Sequence, residues 1–155
     1  LRYDPKNPKW EERDRVVLSK GHAGPAWYST LAECGFFDRE MLMTLNQGGT
    51  KLPSHPDRTK TPGVDMTTGS LGQGTSTASG IATALRMKGS DNRVYLIVGD
   101  GELNEGQCWE AFQYLANYKL NNCIVIIDWN KRQLDGALED VINPFDIAEN
   151  ARLWF

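Results

Sequence analysis

The sequence is poor in histidine and cysteine, the residues that usually build zinc centres and redox sites. Of its 155 residues only two are histidines and three are cysteines, an odd number without the spacing of a zinc or disulfide framework. The net charge is −3 and Lys and Arg are scattered, which excludes a basic patch for nucleic acid. No apolar run approaches the roughly twenty residues that cross a bilayer. We therefore expect one cytoplasmic globular unit that binds neither nucleic acid nor membrane, with reduced cysteines in structural positions.

The second half of the chain has the pattern of two buried strands joined by a helix. Val94 to Val98 is apolar and β-branched, and Gly99-Asp100-Gly101 ends this first strand sharply. Apolar residues then recur at helical spacing from Glu105 onward. Cys123 to Ile127 resembles the first strand in composition. This order predicts an α/β fold with a largely parallel sheet and helices on both faces.

Two polar side chains follow these strands. Asp100 lies at the exit of the first strand and Asn130 just after the second. Because a right-handed crossover brings the carboxyl ends of parallel strands to one edge, the two side chains can converge there. A carboxylate and an amide oxygen are hard ligands, suited to Mg²⁺ that also binds phosphate oxygens. The pattern therefore favours a diphosphate-and-metal site.

A dinucleotide-binding fold is the ordinary alternative for the same pattern. Gly99 and Gly101 would then form the phosphate loop, and Asp128 would be the acid that binds the ribose. Two residues argue against it. Asn104 stands where a third glycine would be needed, and Asp100 would place a bare carboxylate against a pyrophosphate unless a cation lay between them.

The remaining elements are predicted from periodicity and from proline and glycine. Residues 1–17 are charged and proline-containing, which indicates an irregular lead-in, and the proline-rich stretch 48–63 indicates a surface loop. Because the chain begins without Met and ends within a helical pattern, we expect residues 1–155 to be one partial domain of a longer subunit. The predicted helices cover residues 26–34, 38–45 and 75–88, and a further helix over 146–155 reaches the last residue.

The two histidines and one glycine-rich turn are the other candidate site residues. His22 follows a glycine at the edge of a loop, and His55 precedes a proline that holds it in an extended backbone. They are far apart in sequence, so proton transfer and hydroxyl recognition suit them better than a shared metal. The turn Gly69 to Gly74 opens a helix, and by itself it is more simply interpreted as a packing turn at the helix N-terminus.

Five short motifs together resemble transketolase, in particular the N-terminal subunit of its two-chain form. Gly99-Asp100-Gly101 followed by Asp128-Trp129-Asn130 is similar to the thiamine diphosphate motif. The resemblance covers nearly the whole chain in order. The other four motifs are LSKGHAG at 18–24, LPSHPD at 52–57, TTGSLGQG at 67–74 and QLDG at 133–136.

The resemblance implies how thiamine diphosphate and its Mg²⁺ or Ca²⁺ are held. Asp100, Asn130 and the main-chain carbonyl of Arg132 would bind the metal, while Gly101 would donate its amide to the diphosphate. Asn130 also counts as a cofactor-binding residue.

Other segments of the resemblance imply contacts with the remainder of the cofactor and with substrate. Backbone groups of Gly69 and Leu71, with Ser70 between them, would hold the aminopyrimidine ring. The family often has proline at the position of Ser70. His22 would lie against the diphosphate and the substrate, and His55 would bind the sugar, so that both are expected to be catalytic.

The implied reaction is transfer of a two-carbon ketol unit from a ketose phosphate to an aldose phosphate. A glutamate on a pyrimidine-binding domain is also needed, and no segment here resembles that domain. We therefore expect a hetero-oligomer with a C-terminal transketolase subunit. Two alternatives remain, namely another ketol transferase such as 1-deoxyxylulose-5-phosphate synthase, and a non-catalytic cofactor-binding subunit. The role of Glu105, which the family places in a network near the subunit interface, stays open.

Overall fold

A three-stranded parallel sheet forms the centre of the computed structural model, which describes residues 1–152. The strands are β1 (Arg15–Leu18), β2 (Val94–Gly99) and β3 (Cys123–Asp128), in the order β1-β2-β3. Leu18 lies opposite Ile97, and Gly99 lies opposite Asp128. Since all three strands run in the same direction, the loops that follow them leave from one edge of the sheet.

Helices flank the sheet and complete an α/β fold, as predicted. The longest are α1 (Gly24–Glu33), α2 (Gln73–Met87) and α3 (Gly106–Asn117). Short 3-10 segments cover Gly21–Ala23, Arg39–Thr44 and Gly101–Asn104, and the last part described contains β4 (Arg132–Gln133), β5 (Gly136–Ala137), α4 (Leu138–Val141) and α5 (Ile147–Ala151).

The main core lies between the sheet and the pair α2 and α3. Val17, Leu96 and Val98 point from the strands into this core and are fully buried. Ala78 on α2 is small enough to let the helix approach the strands closely, and Phe112 fills the space on α3. The core thus fixes the position of β2, whose carboxyl end carries the Gly99-Asp100-Gly101 segment.

Most of the predicted elements are present, with shifts of one or two residues at their ends. The helix predicted from residue 26 begins at Gly24, with Pro25 in its first turn, and the helix predicted from residue 75 begins at Gln73. The helix predicted over 38–45 is present as a 3-10 segment over Arg39–Thr44. The helix predicted over 146–155 is present in part as α5, and residues 153–155 lie outside the described residues.

The prediction that residues 1–17 are irregular throughout was also wrong, because β1 begins at Arg15. Charged residues beside the strand, which suggested an irregular segment, are paired with partners in the folded chain. The Arg13 guanidinium bonds the carboxylate of Asp65, and the same carboxylate accepts a hydrogen bond from the Val16 amide at 2.8 Å. Pairing of this kind allows charged residues beside a short buried strand.

The three cysteines form no disulfide among residues 1–152, and two of them belong to the core. Cys108 and Cys123 are buried, and burial raises the pKa of each thiol to about 12, whereas Cys34 is half-buried. The two buried thiols are therefore unreactive packing groups near neutral pH. Across residues 1–152, no helix combines the length and the apolar character needed to cross a membrane.

Candidate functional site

Three loops leave the carboxyl edge of the sheet side by side, one after each strand. Ser19 to His22 follows β1, Asp100 to Asn104 follows β2, and Trp129 to Arg132 follows β3. A fourth segment, Thr68 to Gly72, leads into α2 and packs against the first loop. The threonine hydroxyl Oγ1 of Thr68 donates to the carbonyl of Leu18 at 2.7 Å. The sequence segments that carry the candidate residues thus share one edge.

Asp100 is the buried connection between the loops that follow β2 and β3. Its side chain is only 1% exposed. One carboxylate oxygen accepts from the amide of Gly101 at 2.9 Å, and the other accepts from the amide of Lys131 at 2.5 Å. The backbone amide of Asp100 donates to the carbonyl of Asp128 at 3.2 Å. The two loops therefore meet at this edge of the sheet, while convergence of the Asp100 and Asn130 side chains stays a prediction.

Asn130 and Arg132 follow on the second of these loops. Asn130 is exposed, and its Oδ1 accepts from the amide of Arg132 at 2.9 Å. A β-carbon placed on Gly101 would lie 3.4 Å from the carbonyl oxygen of Arg132 and 2.8 Å from Cβ of Gln133. The carbonyl predicted to bind a metal therefore lies beside the Gly-Asp-Gly segment, and Gly101 has no room for a side chain.

The donor set fits a hard divalent cation accompanied by an anion. One carboxylate, one amide oxygen and one carbonyl oxygen suit Mg²⁺, which completes its shell with phosphate oxygens and water. No group of three or more His, Cys, Asp or Glu side chains within residues 1–152 could hold a metal. Two buried amide nitrogens, Asn104 Nδ2 and Gln133 Nε2, lack a partner among the described residues and could donate to an anion here.

His22, His55 and Gly69 are brought together by close backbone packing. A β-carbon on Gly21 would lie 2.7 Å from the amide nitrogen of Gly69, and one on Gly69 would lie 3.1 Å from Cγ of His55. Gly69 has a φ of 151°, which side chains rarely adopt. Both histidines are exposed at the surface of the site. The two histidines that are 33 positions apart in sequence therefore flank one glycine-rich turn.

The glycine-rich turn itself presents its residues differently. Ser70 and Leu71 are exposed, whereas Gly69 is half-buried and Gly72 is buried. Gly72 caps α2 with a φ of 80°, a conformation that favours glycine. Main-chain groups at Gly69 to Leu71 are thus displayed beside the histidines, as their predicted role requires, and that role stays a prediction.

Burial and neighbouring groups shift the titration of His22 downwards. Partial burial of the ring lowers the pKa of His22 below its ordinary value, and its interactions with Lys20 and His55 lower it further. The carboxylates of Glu102 and Asp128 oppose this effect. A neutral imidazole can accept a proton, which suits the predicted catalytic role.

Lys20 and Asp128 form an ion pair that the sequence did not reveal. Lys20 Nζ lies 2.6 Å from Oδ2 of Asp128, and the lysine side chain is 8% exposed while that of the aspartate is 51% exposed. The lysine side chain crosses the end of β2, where a β-carbon on Gly99 would lie 3.7 Å from it. The lysine in the Lys-Gly-His segment was the available signal, but its partner is 108 positions away.

Glu102 and Ser19 are two further residues that sequence reasoning missed. The carboxylate of Glu102 is 2% exposed and accepts hydrogen bonds from Ser19 Oγ at 2.5 Å and from the amide of Gly72 at 2.8 Å. Its other oxygen accepts from the amide of Gly99 at 3.2 Å. An acidic residue one position after a Gly-Asp-Gly segment was the only available signal.

Comparisons with known proteins show which family this chain is similar to. The profile of the family described as "Transketolase, thiamine diphosphate binding domain" matches residues 1–151. Solved transketolase structures are similar along almost the whole chain. One from Pichia stipitis has a TM-score of 0.92 and 38% identity over 99% of this chain and 24% of its own. Transketolase from Leishmania mexicana has a TM-score of 0.92 and 34% identity over 98% of this chain and 24% of its own.

Two curated relatives are subunits of specialised transketolases. The 6-deoxy-6-sulfo-D-fructose transketolase subunit SqwG of Clostridium sp. (strain MSTE9) is 52% identical over 97% of this chain and 54% of its own length. One subunit of the apulose-4-phosphate transketolase from Actinobacillus succinogenes is 45% identical over 94% of this chain and 54% of its own. The chain spans about half the length of these relatives. Together with the profile match over 1–151, these similarities show that the chain belongs to the thiamine diphosphate-binding domain family of transketolases.

Proposed function

We propose that this chain supplies the diphosphate- and metal-binding half of a cytoplasmic transketolase active site. The reaction is transfer of a two-carbon ketol unit from a ketose phosphate to an aldose phosphate. The observation that carries the proposal is the position of Asp100, a nearly inaccessible carboxylate that joins the loops after β2 and β3 beside the carbonyl of Arg132. Membership of the family supports the same reading.

The metal would be Mg²⁺ or Ca²⁺, held by Asp100, Asn130 and the main-chain carbonyl of Arg132. In the described structure Asp100 accepts the amide of Gly101 on its own loop and the amide of Lys131 on the loop after β3, while Asn130 accepts the amide of Arg132. These bonds hold the oxygens in fixed positions before a cation arrives, and each oxygen retains a further lone pair for it. The metal would neutralise the contact between Asp100 and a diphosphate.

The backbone around Gly101 would receive the diphosphate. Gly101 carries no side chain beside the carbonyl of Arg132, and the segment opens the 3-10 turn Gly101–Asn104. The amide of Gly101 donates to Asp100 in the described structure, so that on binding it would be shared with a phosphate oxygen. The unpartnered amide nitrogens of Asn104 and Gln133 are further donors in the same region.

His22 and His55 would act on the substrate from the other side of the glycine-rich turn. His22, whose pKa is lowered chiefly by burial, would accept or relay a proton at a substrate oxygen and lie against the diphosphate. His55 would hydrogen-bond a sugar hydroxyl. The main chain of Gly69 to Leu71 would hold the aminopyrimidine ring. When bound, thiamine diphosphate supplies the carbanion that adds to the ketone and stores the charge after C–C cleavage.

The proposal includes a partner subunit that carries a pyrimidine-binding domain. Two relatives with about half of their own length covered by this chain are named as transketolase subunits. One of their names specifies a sulfo-sugar and the other a sugar phosphate, which supports an anionic sugar as the substrate class. The complete enzyme would be a hetero-oligomer.

Calorimetry with thiamine diphosphate tests the metal assignment. In the protein that contains this chain, Asp100→Asn and Asn130→Ala should each weaken Mg²⁺-dependent binding by more than about tenfold. Matched controls are Asp135→Asn and Asn121→Ala, which remove the same groups at exposed positions outside the proposed ligand set. Circular dichroism should be unchanged in all four variants. Unaltered Mg²⁺-dependent binding by Asp100→Asn and Asn130→Ala would remove the metal assignment.

A further inference from the structure

Glu102 is a buried carboxylate that the proposed reaction does not use. It lies in the 3-10 turn Gly101–Asn104, immediately after the segment assigned to the diphosphate, and its side chain is 2% exposed. No Lys, Arg or His nitrogen lies within ion-pair distance of its carboxylate among residues 1–152. Burial of an acidic group without a cation is costly unless hydrogen bonds replace the lost water.

Three donors from three separate segments replace that water. Ser19 Oγ donates at 2.5 Å from the loop after β1, and the amide of Gly72 donates at 2.8 Å from the start of α2, both to Oε1. The amide of Gly99 donates to Oε2 at 3.2 Å from the end of β2. These partners are 83, 30 and 3 positions from Glu102. A single side chain therefore joins three segments of the site.

Each donor adjoins a group that the proposed function assigns to the cofactor or the substrate. Ser19 lies three positions before His22, Gly72 follows Leu71 directly, and Gly99 precedes Asp100. Space around the carboxylate is closely filled. A β-carbon on Gly74 would lie 2.5 Å from Ser19 Oγ, so that α2 sits directly on the loop after β1.

A carboxylate suits this junction better than its neutral isostere. All three partners are donors, and a carboxylate offers acceptor sites on both oxygens. A glutamine at this position would present an NH₂ group to at least one backbone N–H, which leaves two donors facing each other. The negative charge also lies at the N-terminus of α2, where the helix dipole favours it.

We propose that Glu102 is a positioning residue that sets the mutual placement of the His22 loop, the aminopyrimidine-binding turn and the Gly-Asp-Gly segment. The proposal rests on the function proposed above. Glu102 contacts neither metal nor substrate in this role. It acts through Ser19, Gly72 and Gly99, and its loss should loosen the site although every residue that contacts the cofactor is retained.

The test compares Glu102→Gln and Glu102→Ala with Glu40→Gln in the protein that contains this chain, assembled with its partner. Glu40 is exposed on the 3-10 segment Arg39–Thr44, so the control makes the same chemical change away from the junction. Calorimetry should show thiamine diphosphate affinity about ten- to a hundredfold lower in Glu102→Gln, the size typical of residues that orient ligands indirectly. Glu102→Ala should lose at least as much.

Two further readouts separate positioning from general stability. Hydrogen exchange should speed up at the amides of Gly72 and Gly99 in both Glu102 variants, while the exchange of the β2 core amides stays as in wild type. At saturating cofactor, the kcat of Glu102→Gln should be much closer to the wild-type value than its affinity for thiamine diphosphate is. Wild-type cofactor affinity in Glu102→Gln, or a uniform rise in exchange over the whole domain, would overturn the proposal. Absence of cofactor binding by wild type would instead refute the proposed function and this inference with it.

Discussion

The backbones of the loop after β1 and of the glycine-rich turn pack closely at Gly21, so we expect Gly21→Ala to disrupt the site. The new β-carbon would lie 2.7 Å from the amide nitrogen of Gly69, 2.8 Å from its Cα and 2.9 Å from the carbonyl carbon of Thr68. Nonbonded heavy atoms normally lie about 3.5 Å apart or more, so the contact is about 0.8 Å too short. All three neighbours are backbone atoms and cannot rotate away. One of the two segments must therefore move.

The size of the effect follows from that displacement. Overpacking of this kind costs about 1 to 3 kcal/mol of folding free energy. A movement approaching 1 Å at catalytic groups can lower activity by about a hundredfold, and here it separates His22 from Gly69. Because the φ of Gly21 is not in the left-handed region, the substitution adds a steric contact without a backbone penalty.

Urea unfolding and steady-state kinetics measure both consequences, with Gly80→Ala as the control. Gly80 lies within α2, and a β-carbon there would have no neighbour within 4 Å. That variant should be neutral or more stable by about 0.5 to 1 kcal/mol, because alanine favours a helix interior over glycine. If Gly21→Ala unfolds at the wild-type urea concentration and retains wild-type kcat/KM, the packing of the two segments is not as described.

Two predictions concern the histidines. In the assembled enzyme, His22→Ala and His55→Ala should lower turnover by about ten- to ten-thousandfold, more than they lower cofactor affinity, with little change in the urea midpoint. Near-wild-type kcat for both variants at saturating cofactor would make them structural loop residues. An NMR titration in a His55→Gln background should place the pKa of His22 below the ordinary value of 6.5, and Lys20→Met should raise it, because the Lys20 charge lowers it. The pKa of His22 is lower in the folded protein than in the unfolded chain. Its contribution to the free energy of unfolding is therefore complete above the unfolded-state pKa and is lost as the pH falls through the folded-state pKa. His22→Gln should abolish this pH dependence. An unshifted His22 pKa in both proteins would contradict the electrostatic account.

The parts of this fold that sequence could predict are those with local or periodic signals. Strand β2 and strand β3 are continuous apolar runs, and the order strand, helix, strand forces Asp100 and the loop of Asn130 to one edge. Strand β1 escaped prediction because Arg13 and Asp14 precede it, and their partners are at distant positions such as Asp65. Pairing between distant residues leaves no periodic trace in the chain.

The same reason explains which site residues were missed. His22, His55 and the glycine-rich turn could be named from short motifs and from resemblance to a family. Glu102 and the pair of Lys20 with Asp128 depend on contacts across 30 to 108 positions, and burial of a charged group is the reverse of what composition suggests. Only the folded chain shows that these side chains connect the predicted segments.

Reconstitution of activity is the most direct test of the central claim that this chain provides one half of a two-part site. The protein that contains this chain is assayed with Mg²⁺, thiamine diphosphate, xylulose 5-phosphate and ribose 5-phosphate. Three samples are compared: the wild type alone, the wild type with a candidate partner that carries a pyrimidine-binding domain, and Asp100→Asn with the same partner. The account predicts ketol transfer only in the wild-type mixture with the partner. Steady turnover by the same protein assayed without the partner would contradict it.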